Sequence, residues 1–600
     1  MSRPGCYVKM ADERTSRKTR RTKNRSRKIG TLFLLNLICT FNTAFANGRQ
    51  HLPKSCKNTK SILEHFTKKT ICLERKLVNF ESWEFHETNL LLESFPIELE
   101  TRNYVRQVRR AVFSFVDPIS LRTRTSIVAI SQDVFENILD IDFNSVGQSD
   151  TFLDFVSGNR LINHSVPLAH RYGGHQFGEW SGQLGDGRAV LLGDYVNSKG
   201  ERWELQLKGS GKTPYSRHGD GRAVLRSSIR EFLASEAMHH LGIPTSRAAS
   251  ISVSKDPVWR DMFYDGHPKQ EKAAVVLRLA KSWFRIGSLE ILTRQGETDL
   301  LRKVVDFVID HHFSDIQGED EDKYLKLYSK VVTMTAEMIV KWQSVGFAHG
   351  VCNTDNFSLL SITIDYGPFG FLDDYNSDFI PNSSDDEGRY SFRNQPSIGF
   401  YNLEKLLDAL SPLLDVKRGL KILHKYAKVF NNRFDDAFRK KLGLQGKINN
   451  DDMLVKSLLW MMEVAHADYT MTFRELSNLT TQQIERNNLP KEAWALRRLA
   501  KHPNWFEWLQ RYRERLDRNF ADDTDEKRIQ RMQSVNPRYV LRNWMAQSAI
   551  NKGDKGDYSE VRKLLHILEK PFEIQAEAEA AGFALPPPPW ASSLRVSCSS

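Results

Sequence analysis

The sequence predicts an α+β chain of two parts, a strand-rich first half and a helical second half. From Lys76 to about Glu290, short aliphatic runs alternate with glycine turns. From Thr298 onward apolar residues recur at helical spacing, over Asp299 to Asp310, Tyr324 to Ser344, Leu403 to Leu410 and Met453 to Asp468. With 40% hydrophobic residues among 600, the chain is long and apolar enough to bury sizeable cores. The expected organisation is a leader over 1–46, a linker over 47–75, a strand-rich lobe over 76–295, a helical lobe over 296–585, and a proline-rich strap with a tail over 586–600. No internal repeat is visible.

The leader carries the charge. Residues 1 to 30 hold 11 Lys/Arg against 2 Asp/Glu, so +9 of the net +12 lies there and +3 is left for the other 570 residues. A near-neutral body argues against a nucleic-acid binder, which needs basic, aromatic-bearing folded surface. The arginine-rich, acid-poor start suits mitochondrial import. The apolar run from Ile29 to Phe41, followed by Ala44-Phe45-Ala46, suits a secretory signal instead. Asn356-Phe357-Ser358 would be a glycosylation sequon in the secretory route, so mitochondria are the expected destination and secretion the alternative. The run is too short and, at Asn36, too polar for a stable membrane span. Six cysteines (Cys6, Cys39, Cys56, Cys72, Cys352, Cys598) form no CxxC pair and no zinc spacing.

The strand-rich part opens its chemistry with Gly173-Gly174-His175-Gln176-Phe177-Gly178 and Gly182-Gln183-Leu184-Gly185-Asp186-Gly187-Arg188. Glycines let backbone N–H groups approach phosphates, and the following Ala189 to Gly193 strand fixes the loop, so a nucleotide-covering hairpin is expected. After the turn Asn197 to Gly200, a second strand, Trp203 to Lys208, ends in a lysine. Most strand-end lysines are simply solvated. Here a helix follows, Ser227 to Met238, with a serine cap, an apolar stripe and a stop at Gly242 and Pro244, and its Glu231 is placed to hold Lys208. Gly209-Ser210-Gly211-Lys212-Thr213 imitates the end of a Walker loop, but position 206 is Gln where that loop needs Gly. The run to Arg222, with Arg217, Asp220 and Gly221, is expected to wrap an anion. Arg278 and Arg285 offer forked donors for phosphate, although single arginines are more often surface salt bridges.

In the helical part, His349 to Asn356 (His-Gly-Val-Cys-Asn-Thr-Asp-Asn) precedes Thr363-Ile364-Asp365-Tyr366-Gly367. A loop with a carboxylate and an amide, then Asp-x-Gly, is how phosphotransferases place two metal ligands and a base beside a nucleotide. Mg²⁺ takes oxygen ligands and few carboxylates, which assigns Asn356 and Asp365 to the metal and leaves Asp355 as base. Asn-Thr-Asp-Asn is also ordinary turn chemistry. Residues 382 to 390 form a polar loop where an activation segment would lie, and Pro586 to Pro589 read as a stiff strap.

Taken together, these segments resemble the selenoprotein O family, from about Asn103 to the last residues. The specific pieces are Tyr172 to Gly187, Gln206 to Gly221, His349 to Asn356, Thr363 to Asp373, and Asn536 to Asn543. The resemblance implies an atypical, bilobal protein-kinase-like fold that transfers AMP from ATP to Ser, Thr or Tyr hydroxyls of protein substrates, with the nucleotide inverted so that its α-phosphorus meets the acceptor. By motif it implies nucleotide binding by Gly185, Gly187, Arg188, Lys208, Asp220, Gly221, Arg278 and Arg285, support from Glu231, Mg²⁺ (or Mn²⁺) on Asn356 and Asp365, and Asp355 as base. Many animal members carry selenocysteine near the terminus; here Cys598 stands in its place beside Ser597, a redox candidate, and Pro381 occupies the region where some relatives have a partner cysteine. Two other readings compete, a nucleotide-sensing pseudokinase scaffold and a conventional γ-phosphoryl kinase.

Overall fold

The computed structural model describes residues 77–147 and 149–597. The leader, the linker and Cys598 lie outside the described residues. From Leu77 the chain clusters as one unit, a mixed α+β body built on a large sheet.

The strands are β1 (Ile97–Glu98), β2 (Phe113–Phe115), β3 (Thr125–Ile130), β4 (Leu168–His170), β5 (Gly173–Gln176), β6 (Glu179–Gln183), β7 (Ala189–Val196), β8 (Arg202–Lys208), β9 (Ala223–Val224), β10 (Arg247–Arg260), β11 (Lys269–Ala280), β12 (Phe347–Ala348) and β13 (Gly370–Phe371). The main sheet runs β1-β2-β4-β7-β8-β11-β10-β3, with β9 paired to β11. The pairs between β7, β8, β11 and β10 are antiparallel. The helices that frame the site are α1 (Leu225–His240), α2 (Ile286–Arg294), α3 (Asp320–Val345), α4 (Gln395–Leu410) and α5 (Asn543–Gly553).

Alternation along the central strands sets two faces. Leu205, Leu207, Val275, Leu277 and Leu279 enter one core, which holds Phe80, Trp83 and Phe155. Val276, Ala274 and Ala280 face the other core, where Phe232, Leu233 and Met238 of α1 and the helical half pack. Gln206 and Lys208 alternate with Leu205 and Leu207, and lie opposite Arg278 and Val276 in the β8–β11 register. The polar residues of the sheet are thereby delivered to the face that α1 covers.

Two expectations are corrected. The helix bearing Glu231 has no serine cap: it starts at Leu225 with Val224 at its N-cap and no side-chain cap bond. Its start is set instead by β9, whose pairing with β11 runs straight into the first turn. The glycine-dense segment is not one covering hairpin. Residues 173–183 form a separate two-stranded sheet, β5–β6, which docks on the loop that holds Asp355. Of this segment, Gln176 on β5 and residues 185–188 line the cleft described below.

Candidate active site

Lys208 lies between Ala189 of β7 and Val276 of β11 in the sheet register. Its Nζ is 2.8 Å from Glu231 Oε2 and 3.6 Å from Asp365 Oδ1. The Arg278 guanidinium donates to Glu231 Oε1 at 2.8 Å, Asp365 Oδ1 at 2.5 Å and Gln206 Oε1 at 2.8 Å. Arg285 donates to Asp365 Oδ2 at 2.6 Å and to the Asp355 carbonyl at 2.8 Å. Each guanidinium also lies over an aromatic ring, Arg278 on Trp283 at 4.4 Å and Arg285 on Tyr172 at 4.3 Å. Burial works against the Asp365 charge, but Arg278, Arg285 and Lys208 outweigh it and hold the carboxyl well below the usual carboxylate range. Asp365 itself has φ of 55°, a left-handed conformation that strains a non-glycine residue and clusters at functional sites.

These residues border a cleft of about 820 Å³ whose walls include Arg188, Lys208, Glu231, Arg278, Asn356 and Asp365. That volume suits a nucleotide-sized ligand. Eight Lys and Arg side chains line it, Arg188, Lys208 and Arg278 among them, against four carboxylates, Asp186, Asp220, Glu231 and Asp365, so an anion entering the cleft meets a surplus of positive charge.

Gly185, Gly187, Asp220 and Gly221 also line the cleft. These glycines answer to packing within the protein, Gly187 with its Cβ position 2.7 Å from the Tyr215 carbonyl oxygen. Gly185 has φ of 98°, and a Cβ there would sit 2.5 Å from the Tyr215 ring. At Gly221, φ is 75° and a Cβ would be 2.1 Å from the Gly211 carbonyl carbon. Loops 185–188 and 209–222 are pressed together, which puts their backbones in the cleft wall. Asp220 is at the rim, with one oxygen 2.8 Å from each terminal nitrogen of Arg260.

Asp355 is buried in the short 3₁₀ turn Thr354–Asn356 and stands behind the cleft wall between its lining neighbours Asn353 and Asn356. Burial pushes its carboxyl up to about 7, against a hydrogen bond from Gln176 and the charge of Arg285. Gln176 Nε2 donates to Oδ2 at 3.0 Å, while Oδ1 is buried and has no hydrogen-bond partner among the described residues. The Asn356 Nδ2 donates to the Val351 carbonyl at 2.9 Å, which orients the amide. His349 Nε2 meets the Ile364 carbonyl at 2.9 Å and ties the Asp355 loop to the Asp365 segment. Arg542 fixes the far end of that segment, donating to Asp373 Oδ1 at 2.7 Å and Asp468 Oδ2 at 2.6 Å. Cys352 is buried, and burial raises its thiol pKa.

A family model described as "Protein adenylyltransferase SelO" matches residues 98–569. The chain belongs to the SelO family of protein adenylyltransferases. "Protein nucleotidyltransferase YdiU" of Azoarcus sp. (strain BH72) is 42% identical over 520 residues, covering 85% of this chain and 98% of its own. Its counterpart in Xanthomonas campestris pv. campestris (strain B100) is 45% identical over 495 residues, 82% of this chain and 93% of its own. That of Flavobacterium johnsoniae is 40% identical over 518 residues, 85% and 98% respectively. The chain is a protein nucleotidyltransferase, and that activity implies a nucleoside triphosphate donor.

Several residues of this SelO site were not singled out from the sequence. Gln206 bridges Arg278 and Asp186, donating to the latter at 3.0 Å; its place two residues before Lys208 on an alternating strand was the available signal. Asp186 is buried, and burial raises its carboxyl to about 6 despite Arg285 and Arg278. Gln176, Tyr172 and Trp283 had no sequence signal of their own. Outside the cleft, Asp133, Glu236 and His240 have metal-ligating spacing among the described residues. Arg247 claims their carboxylates, at 2.6 Å from Asp133 and 2.9 and 2.7 Å from Glu236. Among the described residues no helix is long and apolar enough to cross a membrane.

Proposed function

We propose that this chain transfers AMP from ATP to a Ser, Thr or Tyr hydroxyl of a protein substrate, at the cleft between Lys208 and the Asp355 loop. The observation that carries the reading is the convergence of Lys208, Arg278, Glu231, Asn356 and Asp365 on one cleft with surplus positive charge. Lys208, Arg188 and Arg278 bind the phosphates; Glu231 holds Lys208 and Arg278 in place, and Arg285 steadies Asp365 and the Asp355 backbone. Gly185, Gly187 and Gly221 admit the nucleotide against bare backbone, and Asp220 sets the rim. Asp355 accepts the proton of the acceptor hydroxyl as its oxygen bonds to the α-phosphorus and the bond to the β-phosphate breaks, releasing pyrophosphate. Asn356 and Asp365 offer an amide and a carboxylate oxygen, a donor set that fits Mg²⁺ or Mn²⁺. A metal held there would neutralise charge on the phosphates.

The sheet half with α1 and the helical half are the two lobes of an atypical kinase-like fold on this reading, supported by the strand-lysine to helix-glutamate pair. Rate enhancement then comes from positioning and charge stabilisation rather than covalent chemistry. We also propose that the +9 leader directs mitochondrial import. A fusion of residues 1–75 to a fluorescent protein tests it, and N-linked glycan on the full chain would establish the secretory route instead.

The deciding experiment supplies ATP labelled separately at the α- and γ-phosphorus. Label from the α position bound covalently to protein is the expected result. Transfer of γ-label alone makes the chain a conventional kinase, and transfer of neither, with ATP still bound, makes it a nucleotide-sensing scaffold.

A further inference from the structure

The β5–β6 hairpin meets the Asp355 loop at close quarters. Its turn is two residues long, Phe177 and Gly178, with φ of 51° and 90°, between the paired Gln176 and Glu179. The backbone on both sides of Gln176 is tied to the residues just before Asp355. His175 N donates to Thr354 Oγ1 at 2.7 Å, and Phe177 N to Asn353 Oδ1 at 3.3 Å and to Tyr390 Oη at 2.8 Å. His175 is held from its other side by Glu290 of α2, Nδ1 to Oε1 2.5 Å, and Tyr401 of α4 donates to the Gly178 carbonyl at 3.0 Å. There is no slack between the strands and the loop. A Cβ on Gly174 would lie 2.9 Å from Asp355 Cβ, and one on Gly287 of α2 would lie 2.1 Å from the Gly173 carbonyl oxygen.

This frame presents one side chain to the carboxylate. Gln176 lines the cleft, whereas Asp355 stands behind it. A carboxylate only accepts hydrogen bonds, so the amide nitrogen faces it, and the bond is made to Oδ2 alone. Among the described residues Oδ1 has no hydrogen-bond partner, and a Cβ on Gly174 would lie 3.0 Å from it, so Gln176 is the side chain that holds the carboxylate.

We propose that Gln176 is the positioning residue of the transfer reaction: from the cleft wall its amide pins Asp355 Oδ2 and so fixes the orientation of the carboxylate that receives the hydroxyl proton. The hairpin is the jig that sets the base. The proposal rests on Asp355 being that base, and the test separates the two.

The experiment compares wild-type chain, Gln176→Met, Gln176→Glu, Asp355→Asn and the double variant Gln176→Met/Asp355→Asn. Readouts are kcat for α-label transfer to protein, ATP affinity by calorimetry, and melting temperature. Gln176→Met keeps length and removes the donor; a fall in kcat of ~10-fold or more is expected, since small misplacements of a reacting group cost that much, with ATP affinity within about 2-fold of wild type. Gln176→Glu keeps shape but sets a second carboxyl against the first, and is expected to be at least as slow. In the Asp355→Asn background, Gln176→Met should subtract nothing further, because both act through one carboxylate. An inactive Asp355→Asn with a Gln176→Met of normal kcat overturns the proposal and leaves the base intact. An active Asp355→Asn overturns the base and the proposal with it. A parallel loss of ATP affinity and kcat in both Gln176 variants overturns positioning in favour of nucleotide binding.

Discussion

Replacing Asp365 with Asn tests the centre of the site with no change of volume. The native carboxylate accepts from Arg278 at 2.5 Å and from Arg285 at 2.6 Å, one guanidinium per oxygen, with Lys208 at 3.6 Å. An asparagine keeps one acceptor and turns an NH₂ toward the other guanidinium, so one charge-assisted bond becomes a donor facing a donor. Such a bond contributes about 1.5–3 kcal/mol, and leaving a buried cation without its anion costs about 3–5 kcal/mol. Arg278 and Arg285 are both almost wholly buried, so little solvent screening relieves them. A destabilisation of about 3 kcal/mol follows, visible as a lower denaturant midpoint with an unchanged slope. AMP transfer should fall by ~10²-fold or more, the usual loss when a charge-organising group is removed. ATP alone should restore some stability, because its phosphates offer the stranded cations a substitute anion. Asp365→Asn that unfolds at the wild-type midpoint and transfers AMP at near the wild-type rate would refute both the network and the metal assignment.

Asp355→Ala removes the proposed base and should cost roughly 10²–10⁴ in kcat, measured by α-label transfer, with ATP binding retained. Gly174→Ala forces a Cβ to 2.9 Å from Asp355 Cβ; overpacking of this kind costs about 1–3 kcal/mol, and kcat should fall along with the melting temperature. Asn543→Ala takes away the acceptor that Arg230 reaches at 3.1 Å, so a stability loss of about 1–2 kcal/mol and a lower kcat are expected, checked by chemical unfolding and turnover. Glu204 is buried on β8, and burial, opposed by a bond from Trp283 N, raises its carboxyl from about 4.5 to about 8. The fold therefore binds a proton that the unfolded chain releases, and this group's contribution is present below pH about 4.5 and lost as pH rises to about 8. Glu204→Gln should flatten that decline, which is bounded at about 5 kcal/mol by one pKa unit being worth 1.36 kcal/mol; urea melts from pH 5 to 8 measure it.

What the sequence reveals of this site follows from how local each signal is. The Lys208–Glu231 pair is legible because two short-range periodicities meet, alternation along β8 and the apolar stripe of α1. The Asp355 loop and Asp365 are legible because their residue types are dictated by chemistry over 11 positions, with no distant partner needed to recognise them. The glycine segment misleads for a physical reason. A bare backbone serves a phosphate and a neighbouring loop equally well, and only the structure shows Tyr215 against Gly185 and Asp355 against Gly174. The start of α1 is not legible locally because a strand pairing, β9 with β11, outranks a local serine.

The Asn536 to Asn543 segment marks the limit of local reading. It stands out as a pattern, yet nothing within it names a chemistry. Its meaning is carried by contacts across the chain: Arg542 reaches Asp468 and Asp373, which are 74 and 169 residues away, and Asn543 accepts from Arg230, 313 residues away. Arg230 in turn donates to the Phe369 carbonyl at 2.5 Å and lies over the Phe369 ring at 4.3 Å. The segment thus grips the stretch after Asp365 from one side while α1, which carries Glu231 next to Arg230, grips it from the other. Asp365 keeps its left-handed backbone because both ends of its loop are held, by His349 at Ile364 and by Arg542 at Asp373. A strained residue persists only where its surroundings over-determine it, and here those surroundings come from four separate parts of the sequence. Short-range pattern can name the residue that does the chemistry. The residues that keep it in place are scattered, and only the fold collects them.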